Sequence, residues 1–304
     1  MASTTQAARG TSFWLAALML TIAVLLWSGT AVVGRSAAGH VPPFALSFWR
    51  WLMAFLIFLP LGGPSLWRAR SAALRKWKWL VALSFLGMGG FAVPYFTGLQ
   101  YTQAVNAAVL NALGPVMILV IVAVAMGTRI TALQLIGVAL GVAGTVFIIF
   151  RGDLDALLSL GANVGDAFLL LAVFFWSLYT VALRHAPAEL DQMALMLVLS
   201  GLTVPMLAPF YALEWTIRGG FALDAPNLGA IFYAGVCSSV LAYLCWNRGV
   251  TVIGATRAGV SQYLMPLFGA VLATLLLSEA LEWFHFAGMV LIFAGIACSS
   301  SRER

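Results

Sequence analysis

The chain consists mainly of uncharged apolar runs of about 20 residues, separated by short segments that hold most of its charge. An α-helix rises about 1.5 Å per residue, so each run can cross the apolar core of a bilayer, which is about 30 Å thick. The composition agrees, because 62% of the 304 residues are hydrophobic and 9% are charged, unlike a water-soluble domain. The sequence therefore predicts an all-α membrane protein.

Ten such runs occur, five on each side of a more polar stretch that begins at residue 151. They cover residues 13–33, 44–61, 79–99, 104–126, 132–150, 167–183, 193–213, 228–246, 258–277 and 283–299. We expect ten transmembrane helices in two five-helix repeats, 13–150 and 166–301. The remaining segments are an N-terminal cytoplasmic segment (1–12), a periplasmic linker (151–165) and a C-terminal cytoplasmic end (302–304).

The two groups of runs are copies of one unit. At a constant offset of 151 positions, Gly98 matches Gly249 and Pro115 matches Pro266. The same register pairs Ala104 with Ala255, Ala107 with Ala258, Gly137 with Gly288 and Gly144 with Gly295. Glycine and proline fix backbone geometry, so these matches carry more weight than matches between apolar side chains. Because five spans end on the opposite side of the membrane, the repeats are inverted, an architecture that usually encloses a midplane site with alternating access.

The basic residues predict the orientation of the chain. With a cytoplasmic N-terminus, the inside segments hold twelve Lys and Arg residues, and the outside loops hold three, namely Arg35, Arg151 and Arg218. Basic residues concentrate on the cytoplasmic side of membrane proteins. We therefore expect both termini in the cytoplasm.

Several sequence marks also resemble one known family. These are the Trp-Ser pair of the first run (27–28), the Phe-Trp-Arg run at 48–50, and the proline, glycine and Ser-Glu positions (278–279) of the last two runs. Over essentially the whole chain they resemble the EamA-type exporters of the drug/metabolite transporter (DMT) superfamily. The aromatic-rich interior is most similar to bacterial aromatic amino-acid exporters. The family often carries a glutamate after the fourth and ninth helices, whereas here Glu279 keeps it and Thr128 replaces it, which favours a cap or loop contact for Glu279.

The acidic residues bear on how transport is driven. All ten lie in loops, at span ends or in the C-terminal tail, namely Asp153, Asp155, Asp166, Glu189, Asp191, Glu214, Asp224, Glu279, Glu282 and Glu303. Proton-driven antiporters generally need an intramembrane group that exchanges protons with water. The pattern predicts a facilitator, and coupling through a different group stays open.

Aromatic and amide residues inside the spans are the substrate-binding candidates. Trp176 and Tyr179 share a face of the sixth run, and Ser239, Tyr243 and Trp246 are spaced four and three apart on the eighth. The complete predicted set is Trp27, Tyr95, Asn111, Trp176, Tyr179, Ser239, Tyr243, Trp246 and Gln262. Their rings can stack on an apolar side chain or bind an ammonium, and their polar groups can bind a zwitterion. Interfacial aromatic belts and helix-linking amides are the structural alternative.

Glycine and proline mark the predicted hinges. Gly89 and Gly90 lie ahead of Pro94 in the third run, and Pro115 and Pro266 are repeat mates in the fourth and ninth. Glycine bends easily and proline removes a helical hydrogen bond, so we expect gating movements at these five positions.

Arg50 is the one charged residue inside a span. It lies near the outer end of the second run, so the sequence favours a side chain that reaches the membrane interface. The alternative is contact with a substrate carboxylate or with helix C-terminal carbonyls.

These features predict a bacterial inner-membrane transporter rather than an enzyme, with the lipid bilayer and a small-molecule substrate as its partners. We expect export of aromatic and other large neutral amino acids by alternating access. A proton-coupled drug or metabolite efflux pump is the alternative, and a nucleotide-sugar or phosphate-ester exchanger ranks lower. No cofactor, metal or nucleic acid is expected, and packing within a monomer is the default role of the spaced glycines.

Overall fold

The structure, a computed structural model, describes residues 2–37, 41–102, 104–153, 155, 158, 163–277 and 282–300. Regular structure within these residues is helical throughout. We number the long helices α1 (Ala2–Ala37), α2 (Pro43–Arg68), α3 (Trp77–Gly98), α4 (Gly114–Met126), α5 (Ala132–Ile149), α6 (Val164–Ala182), α7 (Gln192–Arg218), α8 (Ala225–Ile253), α9 (Leu264–Leu277) and α10 (Trp283–Ser300). Short helices at Arg70–Arg75, Ala104–Asn111 and Ala255–Val260 precede α3, α4 and α9.

Eight spans in the described part of the chain are long and apolar enough to cross a membrane, and they correspond to α1 to α8. The fourth, Ala107–Met126, combines α4 with most of the short helix before it. Helix α10 contains a shorter apolar stretch, Trp283–Ser299, and α9 runs for 14 residues up to the undescribed residues 278–281. This agrees with an all-α membrane protein. The count of ten spans remains a prediction, and Glu279 lies outside the described residues.

Some helices extend beyond the predicted runs. Helix α7 continues to Arg218, so the predicted outer loop at 214–227 shortens to the six residues between α7 and α8. Glu214 is therefore helical and 6% exposed, and its Oε2 accepts a hydrogen bond from the backbone N–H of Ala45 at 2.8 Å. That N–H belongs to the first turn of α2, where no helical carbonyl can reach it. The sequence placed Glu214 in a loop because it is charged, whereas the structure places it inside α7.

Side chains at the helix starts explain where several helices begin. Thr131 and Gln134 bond reciprocally across the start of α5, and Asn163 and Asp166 do the same across the start of α6. Each pair satisfies N–H groups that the helix leaves open.

Asp191 caps α7 in a related way. Its side chain bonds to Ser65 and accepts from the backbone N–H of Ala194 at 2.9 Å, and these bonds lower the pKa of its carboxyl. Hydrogen bonds favour the charged carboxylate over the neutral acid, which is why the pKa falls. The bond to Ser65 also ties the start of α7 to the end of α2.

Glycines bring α5 and α10 into close backbone contact. A Cβ added at Gly144 would lie 2.7 Å from the carbonyl oxygen of Gly288, and one added at Gly137 would lie 2.7 Å from that of Gly295. The reverse also holds, since a Cβ at Gly288 or Gly295 would meet the carbonyl of Gly144 or Gly137 at 2.8 or 2.6 Å. These glycines therefore pack within the chain, as the default interpretation had it.

Contacts at the helix ends group the connecting segments. At one end, Arg75 forms an ion pair of 2.7 Å with Glu189, and both lie in segments predicted to be cytoplasmic. At the other end, Arg218 donates to Gln100 at 3.3 Å, and both lie in segments predicted to be outside. The grouping agrees with the predicted topology, and the direction of the chain in the membrane remains a prediction.

Candidate functional site

Four large rings from three helices meet in the interior. Trp27 of α1 lies 5.2 Å from Trp176 of α6, 5.6 Å from Tyr243 and 5.3 Å from Trp246, both of α8, measured between ring centroids. Trp176 also contacts Tyr243 and Trp246, at 5.8 and 5.5 Å. We call these four residues the ring cluster. Pairs at such distances contribute about 0.5–1.5 kcal/mol each beyond their burial, so the cluster joins α1, α6 and α8 firmly in this conformation.

Two π-helical segments surround the ring cluster. Phe85–Gly89 interrupts α3, and Tyr233–Leu241 interrupts α8 at the equivalent place in the other half of the chain. A π-helix pairs residues five apart, and such segments are rare and often found at functional sites. Both segments also supply backbone acceptors to the cluster, because the Tyr243 hydroxyl donates to Gly87 O at 2.8 Å and Trp27 Nε1 donates to Ser238 O at 3.1 Å.

Tyr179 lies beside the cluster but is fully engaged. Its ring is 5.5 Å from that of Trp176, and its hydroxyl donates to Asn247 Oδ1 at 2.8 Å. A Cβ on Gly87 would lie 2.4 Å from the Tyr179 ring, so only glycine allows this approach. Tyr179 is 0% exposed and its hydroxyl is already paired. It therefore packs against the ring cluster and offers no free polar group to a ligand.

The amide positions differ between the two halves. In the first half, the side chains of Tyr95 and Asn111 hydrogen-bond with each other. At the offset of 151, the equivalent residues are Trp246 and Gln262, and both Trp246 Nε1 and Gln262 Nε2 are buried without a hydrogen-bond partner. A buried donor without an acceptor costs about 1–3 kcal/mol. The second half therefore holds two donors that a ligand could satisfy.

Arg50 departs from the interfacial position that the sequence favoured. Its Nε donates to Ser239 Oγ at 2.8 Å, and its guanidinium carbon lies 5.3 Å from the centroid of the Trp51 ring. Ser239 is 0% exposed and is the central residue of the span Ala225–Ile253. The guanidinium therefore turns toward the interior of the protein and not toward the membrane interface. A buried hydroxyl and the face of a tryptophan ring stabilise it there.

This contact also redefines Ser239. Its hydroxyl is shared between Arg50 and the carbonyl oxygen of Ala234, at 2.9 Å from the latter. Ser239 thus holds the guanidinium and does not present a free hydroxyl to the ring cluster.

The predicted hinge positions lie next to these elements. Gly89 and Gly90 stand at the end of the first π segment, and a Cβ on Gly90 would lie 2.5 Å from the carbonyl oxygen of Phe85. Pro94 is buried within α3, and Pro115 lies in the first turn of α4, after the break at residues 112–113. Pro266 lies near the start of α9, after a 3₁₀ turn at Ser261–Tyr263. The hinge role itself remains a prediction.

A cavity of about 370 Å³ opens at the end of the molecule where the predicted cytoplasmic arginines Arg184 and Arg257 lie. Thr180 and Val250 line it, one helical turn beyond Trp176 and Trp246. None of the nine predicted substrate-binding residues is part of its wall. The cavity thus reaches residues that lie one helical turn from the ring cluster along α6 and α8.

Three site elements were not predicted. Trp51 contacts Tyr243 at 5.0 Å, and Phe91 contacts Trp176 at 6.0 Å. Asn247 was missed because the predicted eighth run ended at residue 246, although an amide inside an apolar span is a recognisable signal.

Comparisons with known proteins agree with this architecture. A model of the EamA-like transporter family matches the chain twice, over residues 14–150 and 163–301. An uncharacterized transporter of Archaeoglobus fulgidus is 28% identical over 295 residues, covering 94% of this chain and 97% of that protein. The uncharacterized inner membrane transporter YicL of Salmonella typhimurium is 25% identical, and the match covers 94% of this chain and 95% of that protein. A crystal structure of a protein with 22% identity superposes with a TM-score of 0.78, covering 94% of this chain and 96% of that one, which shows a shared fold.

Proposed function

Since this chain belongs to the EamA-like transporter family, we propose that it exports aromatic and other large neutral amino acids across the bacterial inner membrane by alternating access. The family membership makes it a membrane transporter, whose environment is the lipid bilayer. Its relatives in bacteria and archaea are uncharacterized transporters, so the substrate is inferred from the site.

The ring cluster is the observation that carries the proposal. Trp27 comes from the first half of the chain, and Trp176, Tyr243 and Trp246 come from the second, so the rings meet at the junction of the halves. Pockets for small molecules are mostly apolar and aromatic, with a few polar groups that fix orientation. The unpartnered Trp246 Nε1 is such a group. An aromatic side chain that enters the cluster would replace ring–ring contacts with similar ones.

In this conformation the rings contact one another, so substrate binding requires them to separate. The cavity beside Thr180 and Val250 lies between the cluster and the predicted cytoplasmic end, and we propose it as the route to the rings. An access path on one side of a midplane site fits one stage of an alternating-access cycle.

Two inverted five-helix repeats would supply the symmetry that such a cycle uses. The family model matches the chain twice in succession, and the π segments of α3 and α8 occupy equivalent positions in the two matches. The reciprocal contacts of Gly137 with Gly295 and of Gly144 with Gly288 are those expected for antiparallel equivalent helices about a twofold axis. We propose ten helices on this basis. The cytoplasmic termini are proposed from the distribution of Lys and Arg, and a monomer is the default because these glycines pack within the chain.

We further propose that the transporter is a facilitator. The described carboxylates lie at helix ends or between helices, and the most buried of them, Glu214, lies four residues from the end of α7. A carboxylate at that place caps the first turn of α2, where it accepts from the backbone N–H of Ala45. Proton coupling would need a titrating group within the membrane.

Reconstitution in liposomes tests the proposal. We expect uptake of labelled phenylalanine, tryptophan and leucine down their gradients, at the same rate with and without a pH gradient. Trp176→Ala should abolish most of this uptake, whereas Trp14→Ala, at an exposed ring on α1, should leave it unchanged. Uptake of cationic drugs only when protons flow would replace the proposal with the drug-efflux alternative, and uptake of nucleotide sugars alone would also refute it.

A further inference from the structure

The guanidinium of Arg50 has no compensating negative charge beside it in the described part of the chain. Across the described ranges, no carboxylate lies within 4.0 Å of it, and the ion pair found there joins Arg75 to Glu189 at one surface. Its partners are the neutral hydroxyl of Ser239 and the face of Trp51. Charges inside a membrane protein are costly, and they normally pair with another charge or mark a substrate pathway.

The geometry leaves one edge of the guanidinium available. Arginine carries five N–H donors in a planar fork, and Ser239 takes the one on Nε. No hydrogen bond joins the two Nη atoms to a described residue. Two parallel Nη–H groups match the two oxygens of a carboxylate.

The residues around Arg50 determine which charge a ligand would need at this site. Trp51, over which Arg50 lies, contacts Tyr243 of the ring cluster at 5.0 Å, so the guanidinium flanks the proposed site. Within the ring cluster itself, the unpartnered polar atom Trp246 Nε1 is a donor as well. The site therefore offers a positive charge and free donors, whereas no described carboxylate lies within 4.0 Å of the guanidinium.

We propose that Arg50 binds the carboxylate of the transported molecule, and that Ser239 positions its guanidinium. This inference rests on the proposed amino-acid export and narrows its substrate class to amphipathic carboxylates. The aromatic or aliphatic end of the substrate lies among the rings, and the α-amino group contributes little to selection. Amines without a carboxylate are poor substrates.

Competition in counterflow tests this assignment with the full chain in proteoliposomes. Labelled phenylalanine is the probe, and the competitors are 3-phenylpropionate, which lacks the amine, and 2-phenylethylamine, which lacks the carboxylate. In the wild type we expect 3-phenylpropionate to compete at least roughly tenfold better than 2-phenylethylamine. Arg50→Gln should reduce this ratio to near one. Arg218→Gln, at an exposed arginine on the end of α7, is the matched control and should keep the ratio.

The outcomes separate this inference from the function on which it rests. If phenylalanine exchanges but the two competitors act equally in the wild type, the carboxylate assignment is wrong and amino-acid export stands. The same holds if Arg50→Gln keeps the wild-type ratio. If no aromatic amino acid exchanges at all, the proposed function fails and the assignment fails with it. The wild-type comparison is decisive even where Arg50→Gln does not fold, and Arg50→Lys then serves as the charge-retaining variant.

Discussion

Replacing Gly144 by alanine tests whether α5 and α10 are in backbone contact. The added Cβ would lie 2.7 Å from the carbonyl oxygen of Gly288, 2.9 Å from Leu291 Cβ and 3.0 Å from Ile292 Cγ1. Two of these three atoms belong to the backbone or to Cβ, so they cannot rotate away. The helices would have to separate by about 0.7 Å to bring the oxygen contact to an ordinary 3.4 Å.

Such overpacking typically costs 1–3 kcal/mol, but alanine also favours a helix over glycine by about 0.8–1.0 kcal/mol. A second variant removes this offset. Gly229 in α8 has no atom within 4 Å of its added Cβ, so Gly229→Ala gains the helix preference without the clash. The difference in unfolding free energy between the two variants should therefore be about 1–3 kcal/mol, with Gly144→Ala the less stable.

The measurement is reversible unfolding of both variants and the wild type in mixed micelles titrated with sodium dodecyl sulfate. We expect Gly144→Ala to unfold at a lower detergent fraction than the wild type, and Gly229→Ala at an equal or higher one. Equal stability of the two variants, within about 0.5 kcal/mol, would refute the close approach of α5 and α10.

Three further predictions concern a helix start, a titrating cap and a hinge. Glu214→Ala should destabilise the fold by about 1–3 kcal/mol because the Ala45 N–H loses its acceptor, and Glu214→Gln, which keeps an acceptor, by less, as thermal unfolding will show. Folding lowers the pKa of Asp191, so the ionised carboxylate stabilises the folded state at pH values above the ordinary carboxyl range, and this stabilisation is lost as the pH falls through the folded pKa. The wild type should therefore lose unfolding free energy relative to Asp191→Asn below about pH 4. Gly90→Ala, whose added Cβ would lie 2.5 Å from a backbone carbonyl oxygen, should slow phenylalanine counterflow about tenfold at normal expression. Gly89→Ala, whose nearest contact is Met206 Cβ at 3.1 Å, should have a smaller effect; a wild-type rate in Gly90→Ala would count against the hinge.

The sequence was sufficient for the helices and for much of the ring cluster. Apolar runs of membrane-crossing length located α1 to α8, because length and hydropathy alone decide insertion in a bilayer. Trp27, Trp176, Tyr243 and Trp246 were all candidates, and they meet. Periodicity gives the face of the helix on which an aromatic residue lies. With few spans, there are few interior positions at which such residues can meet.

Backbone geometry explains what the sequence missed. Neither π segment has a distinctive side-chain pattern, so the acceptor role of Gly87 O and the turn of Arg50 toward Ser239 were not predictable. The choice between a snorkelling and an inward arginine depends on partners about 190 residues away in the chain. Periodicity describes one helix at a time and carries no information on such pairs.

The two π segments have a geometric consequence for the whole bundle. Each residue of an α-helix turns by about 100°, so a segment that accommodates one additional residue per turn offsets everything beyond it by about that angle. If Phe85–Gly89 reverted to α-helical pairing, Tyr95 would swing by roughly a quarter of a turn about the α3 axis and meet different neighbours. A change in the pairing of a few backbone hydrogen bonds would thus rotate an entire half-helix, and each half of the chain carries such a segment at an equivalent position.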